Sequence, residues 1–443
     1  MIQVTQLAIA LQAIFGETAD LLAQQLGVVR RRRVFTGGSL VRTLVFGWLH
    51  RPKACIDQLA EMAARCGAVV TPQALRQRFT PALNRLLEAL IERAVEQVVV
   101  APLRAGTLPA RFTTVFIQDS TVVSLPQEHR TTWPGCGGNA SAAALKIQVR
   151  WDVLRGGLDG LILEPGRRPD QKTELKPDAL PAGSLWIADL GYFDVATLAG
   201  LAARQVFFLN RIQHGTAVFD AEGQRLDLWG WLEGVRNKTV FERAIGLGAQ
   251  HRLGCRLLAF RCPAHVVRKR IARLEREAKR KGRTVSPEQR RACRWTVLVT
   301  NASAEQLSCQ EAYDLYRVRW QIELLFKLWK QGNRLSRFGG GDPERALAEV
   351  YAKLLGAIVQ HWTLLTSGWS DPDRSLVKAT QWIRDNTVIL ARIVSRNGWD
   401  HLGEWIEDIR IELSKTARIT RRKKRPSTFQ TLMPQGSPAS LNT

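Results

Sequence analysis

Apolar residues recur three and four apart through the first 105 or so residues, the spacing of helices that bury one face. Within that stretch Ile56 to Cys66 (IDQLAEMAARC) predicts a short amphipathic helix closed by Gly67. Thr71 then offers a side-chain cap and Pro72 a first helical position, opening a second helix over PQALRQRF. Two short helices around a tight glycine turn resemble a helix-turn-helix, with Gln73, Arg76 and Gln77 facing outward where bases or phosphates would be met. From Arg111 the period changes. TTVFIQDSTVVSL is β-branched and apolar, a buried strand with Asp119 inside it. Leu145 to Val153 alternates strictly, which predicts a covered face of Leu145, Ile147, Val149, Trp151 and Val153 and an open face of Lys146, Gln148, Arg150 and Asp152. The turn RGGLDG leads into a further strand, LILEP. LWIA ends at Asp189, a helix starts from Asp194, and the strand VFFLNRI carries Arg211 near its end.

Three antiparallel strands followed by strand, helix and strand is the order of the ribonuclease H-like fold. The expected fold class is therefore α/β, with such a core over residues 106–212 and 295–345. Between these pieces, 213–294 breaks into short Gly-punctuated strands and a very basic helix, AHVVRKRIARLEREAKRKG. That segment reads as an inserted, mostly β subdomain with a basic arm. Trp295 to Asn301 (WTVLVTN) returns as a strand. Helices flank the core on both sides: 1–105, expected to bind DNA, and 346–443, expected to serve dimerisation or DNA binding and to end in a basic tail.

The stretch after the returning strand, Tyr316 to Lys330 (YRVRWQIELLFKLWK), combines two patterns. At about 100° per residue, Tyr316, Arg319, Glu323 and Lys330 fall within roughly 60° of one another on a continuous helix. Leu315, Ile322, Phe326 and Trp329 occupy another side. Taken alone this is an amphipathic surface helix with an Arg–Glu pair four residues apart.

Charge changes that picture. The formal net charge is +24 and it is concentrated. Arg30 to Arg33 is a run of four arginines, Arg261 to Arg294 holds thirteen basic residues against three acidic ones, and Lys415 to Arg425 holds seven basic residues and no acidic one. Charge gathered in this way points to a polyanion, nucleic acid before a membrane surface. No apolar run reaches membrane-spanning length and the N-terminus lacks the basic start of a signal peptide, so a soluble, cytoplasmic protein is expected. The seven cysteines never fall as CxxC and are expected to be reduced. Cys255, Cys262, His265 and Cys293 match no common zinc spacing, and a zinc site there is a minor alternative.

Three carboxylates stand out against this background. Asp119 lies in an apolar strand, Asp189 ends another, and Glu323 sits on the helix just described. Ionised carboxylates in such places are costly unless paired or bound to metal, and clustered acids are commonly relieved by divalent cations. Hard Mg²⁺ takes oxygen ligands and keeps positions open for water or phosphate. Singly, each acid also has an ordinary reading, Asp119 as a turn residue and Asp189 as a strand end.

The pattern Tyr-x2-Arg-x3-Glu-x6-Lys, met by Tyr316, Arg319, Glu323 and Lys330, resembles the YREK signature of DDE transposases of insertion-sequence family four. QDST around Asp119, ADLGYF around Asp189 and a β insertion before the glutamate follow in the same order, so the resemblance spans roughly residues 110 to 335. It implies that Asp119, Asp189 and Glu323 are catalytic and hold two Mg²⁺ ions, for which Mn²⁺ can substitute. Arg319 and Lys330 would contact phosphates of the transposon end, and Tyr316 and Trp295 would meet DNA near the cut. For Trp295 the alternative is a core residue opening an apolar strand, and for Arg211, placed where relatives carry a basic residue, an ordinary surface arginine. The implied partners are double-stranded DNA, as terminal inverted repeats and target, and a second copy in a homodimer at the nucleoid. The implied activity is cut-and-paste transposition with a hairpin intermediate. A catalytically silent DNA-binding regulator and a stand-alone ribonuclease H-like nuclease are the alternatives.

Overall fold

The computed structural model describes residues 2–29, 34–101, 108–138, 140–235, 239–339, 341–369, 371 and 373–419. The run Arg30 to Arg33 and the basic tail from residue 420 onward lie outside the described residues. The N-terminal part is helical: α1 (Ile2–Phe15), α2 (Glu17–Gln25), α3 (Gly37–His50), α4 (Ile56–Arg65), α5 (Pro72–Arg76) and α6 (Pro81–Val95). Then come β1 (Val115–Leu125), β2 (Ala143–Asp152), β3 (Leu158–Pro165), β4 (Leu185–Ala188), α7 (Val195–Ala203), β5 (Phe207–Arg211) and β6 (Val218–Phe219). The chain continues with α8 (Leu228–Gly234), β7 (Val240–Leu247), β8 (Leu253–Arg261), α9 (Ala264–Arg280), α10 (Pro287–Ala292) and β9 (Trp295–Thr300). It closes with α11 (Cys309–Val318), α12 (Trp320–Lys327), a π turn (Leu328–Gly332), α13 (Pro343–Gly368), α14 (Leu376–Asp385), α15 (Thr387–Ser395) and α16 (Asp400–Thr416).

These elements fall into two units. The described residues within 2–101, 119–168 and 320–419 form unit 1. Those within 108–118 and 169–319 form unit 2. The protein is a mixed α/β chain with nine strands in sheet among the described residues, and of β1 the residues to Gln118 belong to unit 2 and those from Asp119 to unit 1.

In unit 1 the helix α13 packs against α3, α6 and α16. Its apolar residues are nearly all buried, from Leu347 through Ile358 to Leu365, so this helix is the axis of the unit's core. The strand order here is β3-β2-β1, with β2 and β3 antiparallel in register from Leu145↔Pro165 to Val149↔Leu161. One expectation fails in this sheet. Lys146, Gln148 and Arg150, expected on an open face, are buried. Their polar ends find partners instead of water: the Lys146 ammonium donates to the Arg168 carbonyl, and Arg150 pairs with Asp159 across the hairpin. The two short helices expected here are present as α4 and α5, joined through Gly67 at φ 85°. The second helix is shorter than expected, ending at Arg76, because Thr80 caps the next helix at Pro81 and the residue before a proline leaves the helical region.

In unit 2 the order is β1-β4-β5-β9-β8-β7-β6. β1, β4 and β5 run parallel, β9 turns antiparallel to β5, and β8, β7 and β6 continue antiparallel beyond it. Residues 213–294, expected as a separate inserted subdomain, thus extend the same sheet with β6, β7 and β8 and add α8, α9 and α10. A core of Trp186, Phe208, Leu232, Leu257, Trp295 and Val299, among others, covers one region of this sheet together with α7 and α8.

Candidate active site

Asp189 follows directly on β4, where the chain leaves the sheet into a short 3₁₀ turn, Leu190–Tyr192. Its carboxylate stays 45% exposed. Arg319, one residue past α11, is only 9% exposed and brings its Nε to 3.8 Å from Asp189 Oδ1. The same region of unit 2 holds Tyr316 and Arg211. Burial pushes the Tyr316 phenol up to about 12, opposed by the positive charges of Arg319 and Arg211 and reinforced by Asp189. Unit 2 therefore brings together four of the residues singled out in the sequence: Asp189, Arg211, Tyr316 and Arg319.

Within the same unit β1 and β4 are neighbours in parallel, with Val115 opposite Leu185 and Gln118 opposite Ala188. The next residue on each chain is an aspartate, Asp119 after Gln118 and Asp189 after Ala188. Parallel pairing in unshifted register gives both acids the same offset from the last paired residues. Gln118 is itself buried and fixed, donating to the Leu175 carbonyl at 2.7 Å and accepting from Trp186 Nε1 at 3.1 Å.

In unit 1 Asp119 is half-buried and accepts the Ser120 amide at 2.8 Å. Glu323 is half-buried on α12, between Ile322 and Phe326, which face the core. Lys330 lies in the π turn, half-buried, and desolvation lowers its ammonium below the ordinary lysine value. The sequence had predicted one unbroken helix over Tyr316 to Lys330. The structure divides it: α11 ends at Val318, the Arg319 amide bonds back only three residues to the Tyr316 carbonyl, and α12 gives way to five residues of π helix. A wider turn at Leu328–Gly332 alters the angular offset of Lys330 from that of an ideal helix.

Trp295 stands otherwise than the resemblance implied. It is 3% exposed and packs in the apolar core of unit 2, and its carbonyl accepts from Arg270 Nη1 at 2.9 Å. A ring enclosed in this way offers no face to DNA, so the expectation is corrected to a core role. Gln73 and Arg76 are exposed on α5. Some of the basic arm is also committed within the fold. Arg270 donates to Trp295, Thr296 and Cys262, Arg290 pairs with Glu275, and Arg294 pairs with Glu233.

Among the described residues no three His, Cys, Asp or Glu side chains gather closely enough to hold a metal ion. The cysteines, Cys255, Cys262 and Cys293 among them, are free thiols. The sequence reading missed Glu349 and Lys353 on α13. The signal was present as two opposite charges four apart in an otherwise apolar helix. Lys353 Nζ donates to Glu349 and to the carbonyls of Arg334 and Arg337, and Glu349 accepts the Gly339 amide at 3.2 Å. The pair thereby holds the segment that follows the Lys330 turn.

Residues 110–358 match the family described as the Transposase DDE domain. Over 436 residues the chain is 24% identical to the transposase for insertion sequence element IS231B of Bacillus thuringiensis subsp. berliner, covering 92% of this chain and 90% of the relative. It is 27% identical to the IS231F transposase of Bacillus thuringiensis subsp. israelensis, over 77% of this chain and 76% of that one. A transposase for IS1151 of Clostridium perfringens is 23% identical over 73% of each chain.

Proposed function

The chain belongs to the DDE-domain transposases of insertion sequences, and from that premise we propose that it cuts and joins DNA through Asp119, Asp189 and Glu323. The observation that carries this reading is the register of β1 and β4, in which Gln118 opposes Ala188 and an aspartate follows each. Strand order supports a ribonuclease H-like core, since β3-β2-β1-β4-β5 with parallel β1, β4 and β5 is the order expected of one. The spacing of Tyr316, Arg319, Glu323 and Lys330 supports membership of the YREK group.

The described residues bring no three carboxylate, thiol or imidazole side chains into ligand range of one another. The support for a metal is therefore the chemistry of the donors, three carboxylates with no thiol or imidazole among them, which suits a hard divalent cation. Asp119, Asp189 and Glu323 would hold Mg²⁺, which supplies Lewis acidity and charge neutralisation at a phosphodiester. The protein's own groups do the positioning. Arg319, buried beside Asp189, presents a fixed guanidinium suited to a phosphate oxygen. Lys330 adds a partly desolvated ammonium that gains more from a phosphate than a solvated one would. Tyr316 stays a neutral phenol across the physiological range, because burial holds its proton. Gln73 and Arg76 on α5 supply contacts to the terminal inverted repeat, and Arg211 a further cation beside Asp189. The reaction is cut and paste. Water cleaves one strand at each end, the freed 3′-hydroxyl attacks the opposite strand to close a hairpin, and the reopened end joins target DNA, with two copies bridging two ends.

The test is substitution of each acid. Asp119→Ala, Asp189→Ala and Glu323→Ala are expected to lower cleavage of a cognate end by more than about a hundredfold, beyond the roughly 10–100-fold lost when only an outer partner of a metal site is disturbed. Binding of the end, measured by mobility shift, is expected to stay within about threefold, since phosphate contacts supply most of the affinity. A variant that cuts at the wild-type rate removes that residue from the site. Cleavage without joining to target DNA would make the protein a nuclease.

A further inference from the structure

Unit 1 contains a cavity of about 410 Å³ lined by α12, the π turn, α14 and the chain on either side of α14. Its apolar lining comes from Leu324, Leu328, Trp369, Leu376, Val377 and Ile419. Three cations line it too, Lys327, Arg374 and Arg384, against one carboxylate, Asp371. Arg374 is the unusual member. It is 8% exposed, and its Nε and Nη1 have no hydrogen-bond partner among the described residues. Arg384 spends Nη1 on the Gly332 carbonyl and Nη2 on Gln381, leaving Nε without a partner.

A buried guanidinium with two unsatisfied nitrogens is costly to keep, and the natural relief is an anion. Burial indeed lowers the Arg374 guanidinium from its ordinary value, with Asp371 acting in the opposite sense. The walls decide which anion. Phosphate or nucleic-acid backbone would leave the leucines, valine and tryptophan uncovered. A molecule with one anionic end and an apolar body satisfies both parts, and the cavity's size falls in the range that takes such molecules.

We propose that this cavity binds a small organic anion with an apolar body, of the class of aromatic and branched carboxylates or sulfonates, and that its occupation restrains α12 and the π turn. The restraint follows from the lining, since Gln321, Leu324, Lys327, Leu328, Gln331 and Gly332 all belong to the segment that carries Glu323 and Lys330. The binding half stands independently. The effect on cleavage rests on the proposed role of Glu323.

The full chain is titrated with anilinonaphthalene sulfonate, an apolar anion whose fluorescence rises in such a site. Saturable binding of one probe per chain is expected, with the uncharged anilinonaphthalene at least tenfold weaker. Val377→Trp, at a position 67% exposed on α14 and thus tolerant of size, is expected to weaken the probe at least tenfold by filling the cavity. Arg374→Gln is expected to act in the same direction, and if it fails to fold, the Val377 variant carries the test. Equal binding of the charged and uncharged probes, unsaturable binding, or no effect of Val377→Trp overturns the site. Stoichiometric displacement of the probe by duplex DNA overturns it in favour of a nucleic-acid site. At saturation the probe is expected to change the cleavage rate of the native chain at least twofold and that of the Val377 variant not at all. An unchanged rate with intact binding overturns the restraint of α12 and leaves the site standing.

Discussion

His361 lies wholly inside unit 1, with its Nε2 at 2.7 Å from the Gly156 carbonyl. A carbonyl only accepts, so Nε2 carries the proton, and Nδ1 has no partner among the described residues. A second proton would put an unpaired charge in a dry site, and burial lowers this histidine to about 4. The unfolded chain takes up that proton near pH 6.5, the ordinary histidine value. Between about pH 6.5 and 4 the unfolded state therefore binds more protons, so stability falls as pH falls through that window and is unaffected above it. The contribution is about 3 kcal/mol at most. His361→Phe is expected to flatten the difference in urea midpoints between pH 7 and pH 4.5 relative to the native chain. Equal slopes would place the acid sensitivity elsewhere. Trp295 makes the complementary case at the same scale. Enclosed in the core of unit 2, it is expected to cost about 3–5 kcal/mol when changed to Ala, with Trp295→Phe costing less. Urea denaturation checks this, and a loss under about 1 kcal/mol would return Trp295 to a surface role.

The elements were legible wherever local rules decide them. The strand QDST, the strand before Asp189, the cap at Thr71 and the helix starting from Asp194 stand where the sequence placed them. What was not legible depends on partners distant in sequence. The polar face of β2 is buried because Asp159 and the Arg168 carbonyl wait across the hairpin, and alternation alone cannot reveal that. The division of the helix at Arg319 and the π turn carry no proline, and glycine only at the turn's end, so composition gave no warning. The segment that follows the π turn is instead held from outside. Lys353, 1% exposed, grips the carbonyls of Arg334 and Arg337 and pairs with Glu349 at 2.6 Å. Removing one partner of such a pair leaves the other charge buried and unpaired. Lys353→Met is expected to cost about 3–5 kcal/mol, and adding Glu349→Leu to recover about 1–3 of these by removing the stranded carboxylate. Chemical denaturation of the two variants checks the sign. A double variant less stable than the single one would mean that the loop anchors, not the paired charge, carry the cost.

Across the whole molecule the net charge of +24 is divided between cations held in the fold and cations left for a ligand. The arm of unit 2 is partly spent on internal contacts, with Arg270, Arg290 and Arg294 all bonded within the unit. The C-terminal run differs. Its first members are anchored, since Arg418 pairs with Asp373 at 3.4 Å and the Ile419 amide donates to the Asp373 carbonyl at 2.8 Å. Arg421 to Arg425 follow as five consecutive basic residues with no acid among them. A run without interleaved apolar or amide side chains suits phosphates more than base edges. Truncation after Ile419 keeps both anchors and removes those five charges together. If each neutralises one phosphate, the slope of log affinity against log salt flattens by about 4.5, at roughly 0.9 per contact on duplex DNA. Cognate and random duplexes are expected to weaken alike, because phosphates carry no sequence. Binding isotherms of both duplexes over a range of salt concentrations decide the matter. A loss confined to the cognate end would make the tail a reader of sequence, and an unchanged slope would leave the basic run without a phosphate to meet.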